Sequence, residues 1–276
     1  MDALTFPASS GPFLEPYLPP MAPLEIKEEH ENKNYLPFTT LTFATSLDSS
    51  LSLAPGTRTT LSGPQSKAMT HYLRSRHAAI LIGVGTALAD NPGLNCRIEG
   101  VGGYGSPGLD GQPRPIVLDP RGRWEFGADA KILTLARDGR GRAPFVIIGR
   151  GVSVDETRRR VLEECGGRFL ELEVEEGKGF DWKDLLRTLK SEGLESVMIE
   201  GGGAVINSLL DPGFQHLVDS VIVTIAPTWL GKGGVVVSPE RRVDEKGTAI
   251  AASRLKDVQW HPFGEDVVLC GRMGQV

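Results

Sequence analysis

The sequence predicts an α/β fold with a mostly parallel central sheet, helices on both faces and an antiparallel C-terminal edge. Three observations carry that expectation. Short, almost wholly apolar runs recur along the chain and read as strands buried on both faces. Amphipathic stretches of helical spacing separate most of them, as parallel pairing requires. The final strand candidates have no helix between them, which predicts an antiparallel edge.

Taken in order, residues 1–33 stand apart. Pro7, Pro12, Pro16, Pro19, Pro20 and Pro23 precede the charged run Glu25–Lys33, and the segment is expected to be a disordered or loosely draped extension. A single domain, 34–276, should become ordered near Tyr35. Phe38–Ala44 alternates well enough for a strand and meets a turn at 46–49. Ser62 is placed to cap a helix whose first turn tolerates Pro64, with Ala68, Met69, Tyr72 and Leu73 as its apolar face. Ala78–Ile82 is a buried strand ending at Gly83 and Gly85. Gly100–Gly111 is a surface loop and Gly139–Arg142 a turn. Further strands are expected at Pro115–Leu118, Lys131–Leu135, Phe145–Ile148, Arg168–Leu172, Ser196–Ile199, Ser220–Ala226 and Val267–Cys270. Helices are expected at Asp155–Cys165, Asp181–Ser191 and Gly203–Leu210, closed by Gly166, Gly193 and Pro212.

Composition narrows the function. Of 276 residues, 40% are hydrophobic and 24% charged, and the net charge is −5. Nothing global favours nucleic acid or an anionic membrane as partner. Cys96, Cys165 and Cys270 are isolated, so neither a disulfide framework nor a zinc site is expected, and a reducing, cytoplasmic setting is. No apolar run approaches the roughly 20 residues of a membrane helix, and no signal peptide is evident. The histidines, at 30, 71, 77, 216 and 261, show no metal spacing; His71 and His77 read as packing or surface residues. A G-x-S-x-G elbow is absent, and so is the zinc-deaminase signature.

The chemistry concentrates in two stretches. In Val197–Leu210 (VMIEGGGAVINSLL) a buried strand reaches Glu200, then three glycines, then a helix. Glycines let a ligand approach the backbone, and the helix N-terminus suits phosphate. Glu200 is better suited to accept hydrogen bonds from sugar hydroxyls. In Gly83–Arg97 (GVGTALADNPGLNCR), one helical turn places Thr86 and Asp90 on one face, and Arg97 emerges beyond an Asp-Asn-Pro-Gly turn as a bidentate phosphate grip. Plainer readings stand beside these: the glycines as a simple loop, Asp90 as turn support, Arg97 as a solvated charge. Gly83-x-Gly85 is not a Rossmann fingerprint, since Leu88 stands where the third glycine belongs.

Residues 40–97 (TLTFATSLDSS through NPGLNCR), with Val197–Leu210 and the terminal Asp266–Arg272 (DVVLCGR), closely resemble the riboflavin-pathway reductases, from about Tyr35 onward. The resemblance implies a dihydrofolate-reductase-like fold, NADPH as cofactor, a homodimer and no metal. It implies that Thr86 and Asp90 contact NADP and that the loop Gly201, Gly202, Gly203, Ala204, Val205 and Ile206 holds its phosphates. On the substrate side it points to Arg74, Leu94, Arg97 and Glu200, with Glu200 the candidate catalytic carboxylate and Asp48 and Arg58 of second rank. Ser49 departs from the glycine common in the family. The implied reaction is reduction of 2,5-diamino-6-ribosylamino-4(3H)-pyrimidinone 5′-phosphate: the ribosylamine opens to an imine, which takes a hydride at C1′. Arg74 and Arg97 would grip the 5′-phosphate or nearby atoms. The alternatives are a reductase of a pteridine or other small imine, such as a dihydrofolate reductase, and a non-catalytic NADP-binding module. The missing zinc motif rules against a bifunctional deaminase–reductase.

Overall fold

Runs with no polar break, such as Ala79–Gly83 and Phe145–Gly149, bury both faces and so belong inside a sheet rather than at its edge. In the computed structural model, which describes residues 2–21, 36–175, 177 and 179–274, nine strands pair into one sheet. We number them β1 (Phe38–Thr45), β2 (Ala79–Gly83), β3 (Arg114–Asp119), β4 (Phe145–Gly149), β5 (Arg168–Leu172), β6 (Ser196–Gly201), β7 (Ser220–Ile225), β8 (Leu255–Phe263) and β9 (Asp266–Met273). Their order is β8-β9-β7-β1-β6-β2-β3-β4-β5. Neighbours from β7 to β5 pair in parallel, whereas β7–β9 and β9–β8 are antiparallel. The expected antiparallel edge is there.

The helices are α1 (Pro64–Ser75), α2 (Val84–Asp90), α3 (Lys131–Arg137), α4 (Glu156–Glu164), α5 (Trp182–Ser191) and α6 (Gly203–Leu210). Strand side chains alternate, so Ala79 and Leu81 face one way and Ile80 and Ile82 the other. The first face receives Leu185, Leu186 and Leu189 of α5 with Ile206 and Leu209 of α6. The second receives α2, α3 and α4 around Ile80, Ile82 and Val146, and α1 around Met198 and Ile222. Helix ends follow local chemistry. The Asp181 carboxylate accepts the Asp184 N–H at 2.9 Å, starting α5 one residue before its first buried side chain.

Four expectations are corrected. Lys131–Leu135 is not a strand but the start of α3, because Ala130 and Leu133, and Ile132 and Leu135, are pairs three apart that bury one helical face. A short apolar run does not by itself tell strand from helix. The strand β8 was not expected. It is an exposed edge that carries Lys256, Asp257, Gln259 and Pro262 and bends through a register shift where Asp257 has φ 51°. Ser62 does not cap α1; Gly63 does so in position, and Asp266 of β9 takes the Gly63 N–H at 2.9 Å and the Ser66 hydroxyl at 2.6 Å.

The fourth correction concerns the expected disordered extension. Leu14, Tyr17 and Leu18 are at most 4% exposed and pack with Met69, Leu73, Val268 and Cys270. Phe6 stacks on Tyr72 with ring centroids 4.4 Å apart, and Leu4 bridges Ile98. Each large side chain buried stabilises by roughly 1.5–3 kcal/mol, and the prolines lower the conformational entropy that ordering removes. Proline content read as disorder therefore misled for residues 2–21. Pro23, the run Glu25–Lys33 and Tyr35 lie outside the described residues. Among the described residues no helix is long and apolar enough to cross a membrane.

Candidate active site

The C-terminal ends of β1, β2 and β6 open onto a cleft of about 710 Å³, lined there by Phe43, Ala44, Ile82, Gly83 and Glu200. Ligands of open α/β sheets bind at such strand ends. A second cavity, of about 460 Å³, lies between the N-terminal segment and the β8–β9 hairpin and has no carboxylate, lysine or arginine in its lining.

One wall of the cleft is backbone. In the β6–β2 register Ile199 faces Leu81 and Gly201 faces Ile82, so Glu200 is the extra residue of a bulge, a device that re-aims a side chain. The chain then turns through Gly201 (φ 112°) and Gly202 (φ 40°), a region open chiefly to glycine. A Cβ on Gly203 would lie 2.2 Å from Val235, whose short strand pairs with Ser50–Ser52. No side chain caps α6, and its first return bond runs from the Ile206 N–H to the Gly202 carbonyl at 3.0 Å. The N–H groups ahead of it are left for an anion. Facing this turn, Thr86 on α2 lies 3.0 Å from the position a Gly202 Cβ would take. Asn91, at φ 39°, ends α2. Among the described residues the buried Asp90 Oδ1 has no hydrogen-bond partner, and an added Cβ on Gly85 would meet nothing within 4 Å. An orphaned acceptor beside open glycines and free N–H groups fits a phosphate-bearing ligand with hydroxyls to donate.

The other wall is side chains. Lys67, Thr70, His71 and Arg74 project from α1 into the cleft. The Arg74 fork is already used: Nε donates to Glu200 Oε1 at 2.8 Å, Nη2 to Oε2 at 2.6 Å and Nη1 to the Asn95 carbonyl at 3.1 Å. Burial lowers the Arg74 pKa, but Glu200 outweighs it and the guanidinium stays firmly charged. The Nε–Nη2 edge of Arg74 is thus taken by Glu200, and one N–H each on Nη1 and Nη2 is left for a ligand in the cleft. Arg97 keeps capacity as well. Its Nη1 donates to the Asp2 carbonyl at 3.0 Å and its Nε lies 3.4 Å from His71 Nε2. Leu94, 2% exposed at φ 51°, packs into the core beside Val84 and Ala87 of α2 and closes the floor of the cleft there. Lys131 has its pKa lowered by burial and then by Arg58, Arg97, Lys67 and Arg74, which marks this wall as a cationic cluster.

Thr86, Asp90, Leu94, Arg97, Arg74, Glu200 and residues 202–206 thus converge on one cleft, with Arg58 at its rim. Gly201 supports from behind, its position closed by Ile206 at 2.7 Å. Asp48 is elsewhere; it accepts the Leu230 and Gly231 N–H groups at 3.1 and 2.8 Å. Lys67, Asn95 and Lys131 were not singled out in the sequence, and His71 was read as packing or surface. Residues 67, 71 and 74 follow helical spacing on the polar side of an apolar face, which is the signal that could have found them.

The chain matches the family described as the RibD C-terminal domain over residues 37–269. A 2,5-diamino-6-ribosylamino-4(3H)-pyrimidinone 5′-phosphate reductase of Debaryomyces hansenii is 38% identical over 99% of this chain and 100% of that protein. The protein of the same name from Eremothecium gossypii is 42% identical, over 94% of each. Among solved structures, the riboflavin biosynthesis reductase Rib7 of Saccharomyces cerevisiae superposes with a TM-score of 0.72 at 35% identity, covering 96% of this chain and 99% of that one.

Proposed function

The chain belongs to the RibD C-terminal domain family of riboflavin-biosynthesis reductases, with their dihydrofolate-reductase-like fold, and from that premise we propose the reaction and the roles of its residues. The substrate is 2,5-diamino-6-ribosylamino-4(3H)-pyrimidinone 5′-phosphate, the cofactor NADPH and the product the ribitylamino compound. The supporting observation is one cleft with two unlike walls, a backbone cradle beside an orphaned Asp90 and a cationic cluster around Arg97.

When bound, the cofactor supplies a hydride for C1′ of the opened imine. Thr86, Asp90 and the residues Gly201–Ile206 hold the dinucleotide. Arg97, Lys67 and Lys131 hold the substrate phosphate. Each Glu200 oxygen gives one lone pair to Arg74 and keeps another for a ribose hydroxyl, so Arg74 is a positioning residue for Glu200. Leu94 gives the pyrimidine an apolar surface. Fixed donors and acceptors of this kind orient the reacting atoms before the chemistry begins. The exposed edge strand β8, with Val258 and Trp260 42% and 60% exposed, supports a homodimer through that face. Three free cysteines support a cytoplasmic location.

Loss of NADPH absorbance with the ribosylaminopyrimidine phosphate, measured beside dihydrofolate, tests the reading. Turnover of the phosphate substrate alone is expected. Turnover of dihydrofolate alone would make the chain a pteridine reductase, and NADPH binding without turnover of either would make it a binding module. Glu200→Gln should lower kcat/KM while leaving NADPH affinity near the parent value.

A further inference from the structure

His71 faces two donors at once. The ring is 6% exposed; the Arg97 backbone N–H lies 3.2 Å from Nδ1 and the Arg97 Nε–H lies 3.4 Å from Nε2. A neutral imidazole has one acceptor nitrogen, so both contacts cannot be hydrogen bonds to it. The backbone donor is the less movable of the two. Its backbone is tied down by the Leu4 N–H on the Arg97 carbonyl at 2.7 Å, whereas the guanidinium swings on a flexible stem. Nδ1 therefore accepts and the proton sits on Nε2. A doubly protonated ring would set N–H against N–H, and burial, then Arg74, Arg97 and Lys67, hold the His71 pKa down near about 2 against the Asn95 carbonyl that favours the proton. What remains is an Nε2–H and an Arg97 Nε–H that meet across a short gap in the cleft wall. The Asn95 carbonyl beside the ring already takes Arg74 Nη1 at 3.1 Å, so two donors that face each other call for a further oxygen acceptor beside them.

We propose that His71, as its Nε2–H tautomer, is a substrate-positioning residue that shares one phosphate oxygen of the substrate with Arg97. The assignment rests on the substrate reading above. A neutral donor beside a cation fixes the direction of the phosphate without adding a charge to a wall already crowded with them. It also orders the Arg97 side chain, whose firm partner among the described residues is otherwise the Asp2 carbonyl.

Histidine-selective nitrogen NMR of the intact enzyme, with His71→Gln to assign the signal, tests this using inorganic phosphate as the probe. The expected result is the Nε2–H tautomer at neutral pH, with a resonance that moves saturably with phosphate and no longer does so in Arg97→Ala. The Nδ1–H tautomer, or an Nε2–H signal indifferent to phosphate, would overturn the proposal. In steady-state kinetics His71→Phe should raise KM on the order of tenfold with kcat and NADPH affinity little changed. His71→Gln, whose amide nitrogen reaches the place of Nε2, should recover most of that. Equal losses in both variants, or a loss confined to kcat, would show a role in packing only. If the parent never turns over the phosphate substrate while the NMR response holds, the substrate reading fails and the His71–Arg97 anion site stands.

Discussion

Across the cleft from Arg74 and Arg97, the β6–α6 turn presents almost no side chain. Gly201, Gly202 and Gly203 follow one another, two of them at left-handed φ and the third with a neighbour 2.2 Å from its missing Cβ. The facing wall is the reverse: long side chains held by partners of their own, as Arg74 by Glu200 and Arg97 by the Asp2 carbonyl. A wall of backbone has no rotamers with which to absorb a change, so it fails by sterics and at once. A wall of side chains fails by degrees, since each partner lost leaves others in place. The contrast separates cofactor binding from substrate binding, and it can be attacked from either side.

The largest effect is expected at Gly203→Val, which must displace Val235 and the first turn of α6. NADPH affinity should fall on the order of a hundredfold, and Gly202→Val, strained at φ 40°, should behave alike. Fluorescence titration measures it, and a Val235→Ala partner mutation should restore part of the Gly203→Val loss. Parental affinity in Gly203→Val would mean that the backbone wall gives way after all.

Next comes the N-terminal segment, expected from sequence to be disordered or loosely draped and found against the substrate wall. Leu14→Ala empties a fully buried site and should cost about 2–5 kcal/mol in urea unfolding. Deleting residues 2–21 should lower the thermal midpoint and raise substrate KM, because the Asp2 carbonyl and Leu4 hold Arg97, while NADPH affinity stays put. A deletion that weakened both ligands equally would erase the distinction between the walls.

Arg97→Ala removes a charge-assisted contact worth roughly 1.5–3 kcal/mol, hence about ten- to a hundredfold in kcat/KM. Arg97→Lys should recover part of it, lacking the planar fork. Parallel NADPH titration should register nothing in either variant.

The last effect leaves both ligands aside, is pH-dependent and sits on the α1 side. Burial holds His71 down to about 2 and His77, bonded to the Leu73 carbonyl and Thr40, down to about 4. Between those values and the unfolded value near 6.5, the unfolded chain binds protons that the fold refuses. Stability is therefore level above pH about 6.5 and falls below it, by up to ~1.4 kcal/mol per pH unit for each histidine. Urea midpoints measured from about pH 7.5 down to 5 should decline, while KM and NADPH affinity of the folded enzyme, whose two histidines stay neutral over that range, should not follow them.

The sequence made one wall far more legible than the other. A Glu-Gly-Gly-Gly step between an apolar run and a helix is local, and so is the Thr86–Asp90 spacing; both are read within a few residues. The other wall is made by meetings at long range. Arg74 and Glu200 stand 126 positions apart, and the sequence indicated each of them but not their pairing. The same limit explains the errors in the fold. The parallel strands announced themselves by apolar content, whereas β8 is an edge with polar residues and the Phe6–Leu18 segment is apolar only between prolines. Lys131–Leu135 carried the right side chains for burial and too few of them to declare a period.

One consequence concerns the path by which the chain folds. The Tyr17 hydroxyl donates to the Asp257 carbonyl and the Arg272 guanidinium to the Pro16 carbonyl, contacts 240 and 256 residues apart in the sequence. Closing loops of that length is entropically the costliest step, and contacts of such separation form slowly. The β8–β9 hairpin must already be laid against β7 before Leu14 and Tyr17 have a surface to cover. In a refolding reaction followed by pulsed hydrogen exchange, the amides of residues 4–18 should gain protection last, so Arg97 would receive its backing only after the rest of the sheet is complete.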